Sequence, residues 1–327
     1  MGGLALKHLN VERKGAEDYF KLVEEVQTLC SIIAKRCAVV PAYSKKETFG
    51  DMDVLIVVKP DVKDLREALH SLFEPRDIKH NANCYSLDYS NFQIDVLTVA
   101  DDTFDCALTY FSFNDLGNLM GRVAHKQGLK YGHLGLSIPV RVKETHELGE
   151  VFLTKDPKAI FTYLGYNYDR FLQGFETLED IFRYTTTSPF FNKESYALEN
   201  LNHINRTRNR KRPTFMAFVK WLEEHPELQS YLYNDDKTEY VNKALRTFNK
   251  HLEYFTLLQE AKKKEYIKSK FNGELVTAVT GLEKEELGKF IVKFKSTFLS
   301  QQQFEEWVFS SSCEEIIGNI KDVLEGR

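Results

Sequence analysis

The chain has 327 residues, 43% of them hydrophobic and 28% charged, which excludes a disordered polymer. At roughly 150 residues per domain it has room for about two domains and at least one substantial core. Lys plus Arg number 44 and Asp plus Glu 48, a net charge of −4, so a uniformly basic, histone-like binder is excluded and local charge must be read segment by segment.

No run approaches the roughly 18 apolar residues of a membrane span, so no membrane partner is expected. The first twenty residues turn charged too soon for a secretory signal, and Leu6 stands where a myristoylated terminus would carry Ser or Thr. The five cysteines (Cys30, Cys37, Cys84, Cys106 and Cys313) are scattered, and the nine histidines form no ligand-spaced pair. A reducing, cytoplasmic setting without a zinc site is the expectation.

In chain order, the spacing of Phe20, Val23, Val26, Leu29, Ile33 and Cys37 predicts a helix over 15–36. A short apolar run, 37–40, precedes a polar loop, 43–50. Residues 53–58 are apolar and β-branched, as a buried strand requires, and Pro60 and Asp61 end it. Leu65, Leu69 and Leu72 mark a helix to Phe73. Strands at 84–89 and 92–99, parted only by Ser90 and Asn91, suggest a hairpin. The first hundred residues therefore read as a small mixed α+β sheet with helices on one face. Residues 101–170 read as helical with short links. Asn114 or Asp115 caps a helix to Lys126, Gly128 sits past its end, and a strand follows at 134–142. Residues 171–327 read as mainly helical. Val241, Leu245, Phe248, Leu252 and Phe255 stripe one helix over 238–270. The expected divisions are 1–100, 101–170 and 171–327, with a soft boundary near 170.

Asp51 and Asp53 stand two apart at the start of a strand, so both side chains leave one face. Carboxylates so close repel each other, and a divalent cation removes that penalty. Asp95 sits inside an otherwise apolar strand, where a charge costs several kcal/mol unless paired or bound to metal. If the strands are neighbours, three carboxylates converge at one sheet end. Hard oxygen ligands select Mg²⁺ or Mn²⁺, and two such ions about 4 Å apart form a clamp for in-line attack on phosphate. Against this stands a plainer reading: Asp51 caps a turn, Asp53 faces solvent and Asp95 lies on an edge strand.

Taken together, residues 35–170 resemble the polymerase-β superfamily of nucleotidyltransferases, closest to the family X DNA polymerases. The Gly50-Asp51-Met52-Asp53 turn and the Ile94-Asp95-Val96 strand match the family's three metal-binding aspartates. Residues 104–112 look like its F-x-x-A-L-x-Y-F-T-G-S segment, 126–129 and 135–136 follow its K-G-L and G-L pattern, and 156–166 are similar to its closing segment. The resemblance implies a palm-like catalytic domain using two Mg²⁺ (or Mn²⁺) ions and a (d)NTP substrate. By it Tyr110 and Phe111 line the sugar pocket, Asn118 touches the nucleotide and Arg122 reaches the template strand. Without it, Tyr110 and Phe111 read as core and Arg122 as a solvated helix residue.

The sequence departs from the family at the triphosphate loop. Ala42-Tyr43-Ser44-Lys45-Lys46 stand where Gly-Ser and two arginines are usual ahead of the nucleotide-binding Gly50 turn, in a loop about two residues shorter, so Ser44 would supply a hydroxyl and Lys45 and Lys46 point charges. Phe113 replaces a glycine, which puts sugar discrimination in question. About 35 residues precede the sheet, too few for the DNA-gripping and lyase domain of larger members. Farther on, Arg206, Arg208, Arg210, Lys211 and Arg212 form a local basic cluster, read either as a phosphate-binding surface or as a solvated helix face or intramolecular pairing with residues such as Glu179 and Asp180. The lysines over 262–270 read as a solvated helix end. Residues 271–291 are faintly similar to the tail of the tRNA CCA-adding and poly(A) polymerases, or else form a plain Asn-Gly turn between helices.

The expected function is therefore addition of nucleotides to a nucleic-acid 3′ end, by a family X-like DNA polymerase in repair. A tRNA or RNA 3′-end nucleotidyltransferase is the same-chemistry alternative. A nucleic-acid-binding scaffold without turnover is the alternative of another class.

Overall fold

The computed structural model describes residues 5–143 and 146–326, without the side chains of 143 and 146–148. It is a mixed α+β structure whose contacts form two compact units. The first comprises the chain up to Ile138 together with Phe152–Phe248; the second comprises Pro139–Val151 and the chain from Asn249 onward.

In the first unit, short strand β1 (Lys14–Gly15) leads into helix α1 (Ala16–Ile33). Strands β2 (Ala34–Val39), β3 (Thr48–Phe49) and β4 (Asp51–Val58) follow, then helix α2 (Leu65–Phe73) and strands β5 (Ile78–Asn81), β6 (Cys84–Tyr89) and β7 (Phe92–Thr98). The main sheet has the order β2-β4-β7-β6-β5. Only β4 and β7 run parallel; the other neighbours are antiparallel. β4 is apolar on both faces, so both must be covered. Met52, Val54 and Ile56 meet α1 and α2 on one side. Leu55 and Val57 meet Phe104 and Ala107 on the other. The expectation of helices on one face is thus corrected: helix α3 (Phe104–Phe111) lies against the second face.

Two further local expectations shift. The apolar spacing predicts a helix through residue 36, yet the backbone turns extended at Ala34, because pairing with β4 satisfies that stretch as a strand. β5, with its exposed Lys79, His80 and Asn81, carries no apolar signal and exists by pairing with β6.

After α3 come α4 (Leu116–Lys126) and strands β8 (Lys130–Gly132), β9 (Gly135–Lys143) and β10 (His146–Thr154). These form a three-stranded sheet where the sequence suggests one strand among helices. Gly128, with φ +78°, closes α4. The unit continues through α5 (Pro157–Tyr163), α6 (Tyr168–Leu172), α7 (Leu178–Thr185), α8 (His203–Arg210), α9 (Pro213–Glu224) and α10 (Thr238–Thr247). Asp156, Asn167, Thr177 and Asn202 cap α5 to α8 through their side chains. An aromatic core of Phe182, Tyr196, Phe215, Phe218 and Trp221 holds α7 and α9 together.

The second unit contains α11 (His251–Lys270), α12 (Gly273–Thr280), α13 (Lys284–Lys295), α14 (Gln301–Ser310) and α15 (Cys313–Glu325). Their core includes Phe271, Phe290, Phe294, Phe304 and Ile316. Val140 and Val151 from the β-strand segment pack on Ala261 of α11. The single helix expected over 238–270 is two helices, broken where Asn249 takes φ +53°. Asn272 caps α12 by accepting the Leu275 N–H at 2.9 Å. Among the described residues no helix is long and apolar enough to cross a membrane.

Candidate active site

β4 and β7 bring the predicted carboxylates together. Asp53 lies directly opposite Asp95, and Asp51 opposite Gln93. In a parallel pair the opposed residues share a face, so all three carboxylates leave the face that α3 covers farther along. Gln93 is buried and donates from Nε2 to both Asp95 oxygens, at 3.0 Å each. Its own Oε1 accepts the Leu6 N–H at 3.2 Å.

Crowding has an electrostatic result. Burial, then the Asp51 and Asp95 charges, pushes the Asp53 carboxyl up to about 7, with Lys46 only partly opposing them. Burial also raises Asp95, against hydrogen bonds from Ser86 and Gln93. As the side chains stand, no group of three His, Cys, Asp or Glu among the described residues is placed to hold a metal ion. Asp95 is turned to Gln93. The donor set itself suits a hard divalent cation: three oxygen-ligand side chains on one face, two of them made costly to ionise by their setting.

Asp51 and Asp53 open into a cleft of about 410 Å³, with Asp95 behind its lining on the neighbouring strand. Lys46, Gly50, Phe111 and Asn114 line it, as do Arg13 and Tyr19, which the sequence reading did not single out. Tyr19 is buried and stacked on Phe49 at 3.7 Å between ring centroids. Burial and the nearby Asp53 and Asp51 charges hold its phenol well above its usual range. Lys46 lies 4.6 Å from the Phe49 ring centroid, and burial lowers its ammonium.

The other predicted contacts divide. Lys45 is exposed and pairs with Glu176 at 2.6 Å, which raises its ammonium. Ser44 borders an adjoining pocket with Phe113, Arg170 and Glu176. Tyr110 packs edge-on against Tyr131 and closely over Gly117. A Cβ on Gly117 would stand 2.2 Å from the Tyr110 carbonyl oxygen. Gly117→Ala is therefore expected to cost about 2–3 kcal/mol, read as a lower urea midpoint. Asn118 is half-buried, with its Nδ2 lacking a partner among the described residues. Arg122 is half-buried, and its Nε donates to the Ser195 carbonyl at 2.9 Å, so it braces α4 here.

Between α3 and α4, Phe113 and Asn114 both adopt left-handed backbone, φ +58° and +63°. For a bulky residue that conformation costs about 1–3 kcal/mol. The Phe113 N–H donates to Pro41 at 2.7 Å, and its ring packs edge-on between Phe171 and Phe175. The residue that replaces the expected glycine thus pins the cleft wall.

The basic cluster splits in two. Arg206 donates to the carbonyls of Leu198, Glu199 and Leu201. Arg212 pairs with Asp115, their side chains 27% and 18% exposed. These two are internal braces. Arg208, Arg210 and Lys211 are exposed and form no ion pair among the described residues. Arg208 and Lys211 line a groove of about 620 Å³ that shares Asp115 with the carboxylate cleft.

In comparisons with known proteins, no family model matches the chain and no curated protein matches its sequence.

Proposed function

We propose that this chain is a metal-dependent nucleotidyltransferase of the polymerase-β superfamily, its main sheet serving as the palm, which adds a nucleotide from a (d)NTP to a nucleic-acid 3′ end. The observation that supports this best is the register of β4 and β7, which sets Asp53 beside Asp95 with Asp51 on the same face, at a cleft. Asp51, Asp53 and Asp95 would hold the two Mg²⁺ or Mn²⁺ ions. When bound, such ions polarise a phosphoryl group and offset the negative charge that grows in the transition state. The chain's own residues do the rest. Asp95, turned from Gln93 toward the ions, would take the proton of the attacking 3′-hydroxyl. Lys46 places a cation in the cleft, and Phe111 and Tyr19 give it apolar and aromatic walls. The exposed Arg208, Arg210 and Lys211 suit contact with the phosphates of the acceptor strand.

The test supplies Mg²⁺ and labelled ribo- and deoxynucleoside triphosphates to a primed gapped duplex and to tRNA lacking its 3′ end. Templated extension of the duplex supports a repair-type DNA polymerase. Addition to tRNA, preferring CTP and ATP, supports the RNA 3′-end reading. Binding without any extension leaves the scaffold.

The divided basic cluster makes its own prediction. Replacing Arg208, Arg210 and Lys211 together with Gln is expected to shallow the slope of log binding constant against log salt by about 2 to 3. The readout is nucleic-acid affinity across a salt series. An unchanged slope removes these residues from the interface.

A further inference from the structure

The carboxylate cleft needs more than metal ions to accept a triphosphate. Its walls already hold Asp51, Asp53 and Asp115, and the substrate brings several further negative charges. Among the lining residues only Arg13 and Lys46 are cations. Lys45, the second cation that the sequence suggests, lies on the exposed side with Glu176.

Arg13 reaches the cleft from the other end of the sequence. β1 pairs antiparallel with β3, Lys14 opposite Phe49 and Gly15 opposite Thr48. On the other side of Arg13, the Glu12 N–H donates to the Asn91 carbonyl at 2.9 Å. The backbone is therefore held both before and after this residue. The side chain is oriented too: Nη2 donates to the Thr48 carbonyl at 3.1 Å and to Thr48 Oγ1 at 3.0 Å. Nε and Nη1 make no hydrogen bond among the described residues, so donors on both of these nitrogens remain for a ligand. A guanidinium held in this way keeps its charge and its remaining N–H donors in a fixed plane, which the flexible, freely rotating ammonium of a lysine does not.

We propose that Arg13 is a triphosphate-binding residue of the cleft, working with Lys46 in the place that sequence order gives to Lys45. This inference rests on the nucleotidyltransferase reading above. It makes the segment before α1 part of the site, with Thr48 as the positioning residue that sets the guanidinium plane.

The experiment measures binding of a non-hydrolysable α,β-methylene nucleoside triphosphate and of the matching monophosphate, with Mn²⁺, to the full chain and to Arg13→Gln. The expected result is a loss of about tenfold or more for the triphosphate, with the monophosphate changed less than about twofold. Arg13→Lys should recover part of the loss. Equal triphosphate binding by Arg13→Gln and the parent overturns the role of Arg13 and leaves the wider reading standing. Equal weakening of both ligands also overturns it, since Arg13 would then act on the fold. If Arg13→Gln does not fold, Arg13→Lys decides: unchanged triphosphate binding refutes the role given to the guanidinium. If the parent chain binds neither ligand, the nucleotidyltransferase reading fails, and the role of Arg13 with it.

Discussion

Asp53→Asn is expected to make the metal-free protein more stable at pH 8, by about 2 kcal/mol, and to abolish any stabilisation by millimolar Mn²⁺. The sign follows from the proton. The folded chain holds a proton on Asp53 up to about pH 7, whereas an unfolded chain releases it near the ordinary value of 3.8. Between those limits the folded state binds more protons, so stability present below the lower value is lost as pH rises through the upper one. Each pKa unit corresponds to about 1.4 kcal/mol, discounted here because Asp53 is only partly shielded from water. Asparagine has no charge to develop. The variant and parent should therefore melt alike near pH 4 and diverge toward pH 8, by about 5 °C. Thermal melts across that range, with and without Mn²⁺, check both halves. A parent chain that melts with the variant at pH 8 would show that the three carboxylates do not strain one another. Stabilisation of Asp53→Asn by Mn²⁺ would show that the ion sits elsewhere.

The second large effect is on turnover. Asp95→Asn should lower nucleotide transfer by about 10³-fold or more, since under the proposed function it removes a metal ligand and the group that would take the 3′-hydroxyl proton. The fold should tolerate the change, because an asparagine oxygen can still accept from Gln93. Nucleic-acid affinity should stay within about threefold, because Arg208, Arg210 and Lys211 stand on α8 and the turn after it rather than on β7. Single-turnover rates and a binding titration separate the two effects. Transfer at the parent rate would refute the role given to Asp95.

What was legible in the sequence was what is local. Asp51 and Asp53 share a face because strand geometry has period two, and the apolar run behind them marks a central strand without further information. That Asp95 lies beside Asp53 follows once β4 and β7 pair in register, and the matching apolar frames hint at that pairing. Arg13, Tyr19 and Gln93 gave no such sign. Their importance depends on which distant segments meet: residue 13 beside 48, the Leu6 N–H on Gln93. Arg122 misled for the opposite reason, since a charged residue on a helix reads as solvated until a carbonyl is found against it. The break at Asn249 was hidden because apolar spacing continues on both sides of a single left-handed residue.

The path of the backbone bears on how this protein can be cut. The chain leaves the first unit after Ile138, returns at Phe152 and leaves again after Phe248. The second unit is therefore stitched from an inserted loop and the distal helices, not appended as a tail. A fragment ending at residue 248 would keep Val140 and Val151 while discarding Ala261, which covers them. Bare apolar strand of this sort invites self-association. A dissection that respects the folding units would excise 139–151 along with the distal helices and rejoin Ile138 to Phe152 through a short bridge.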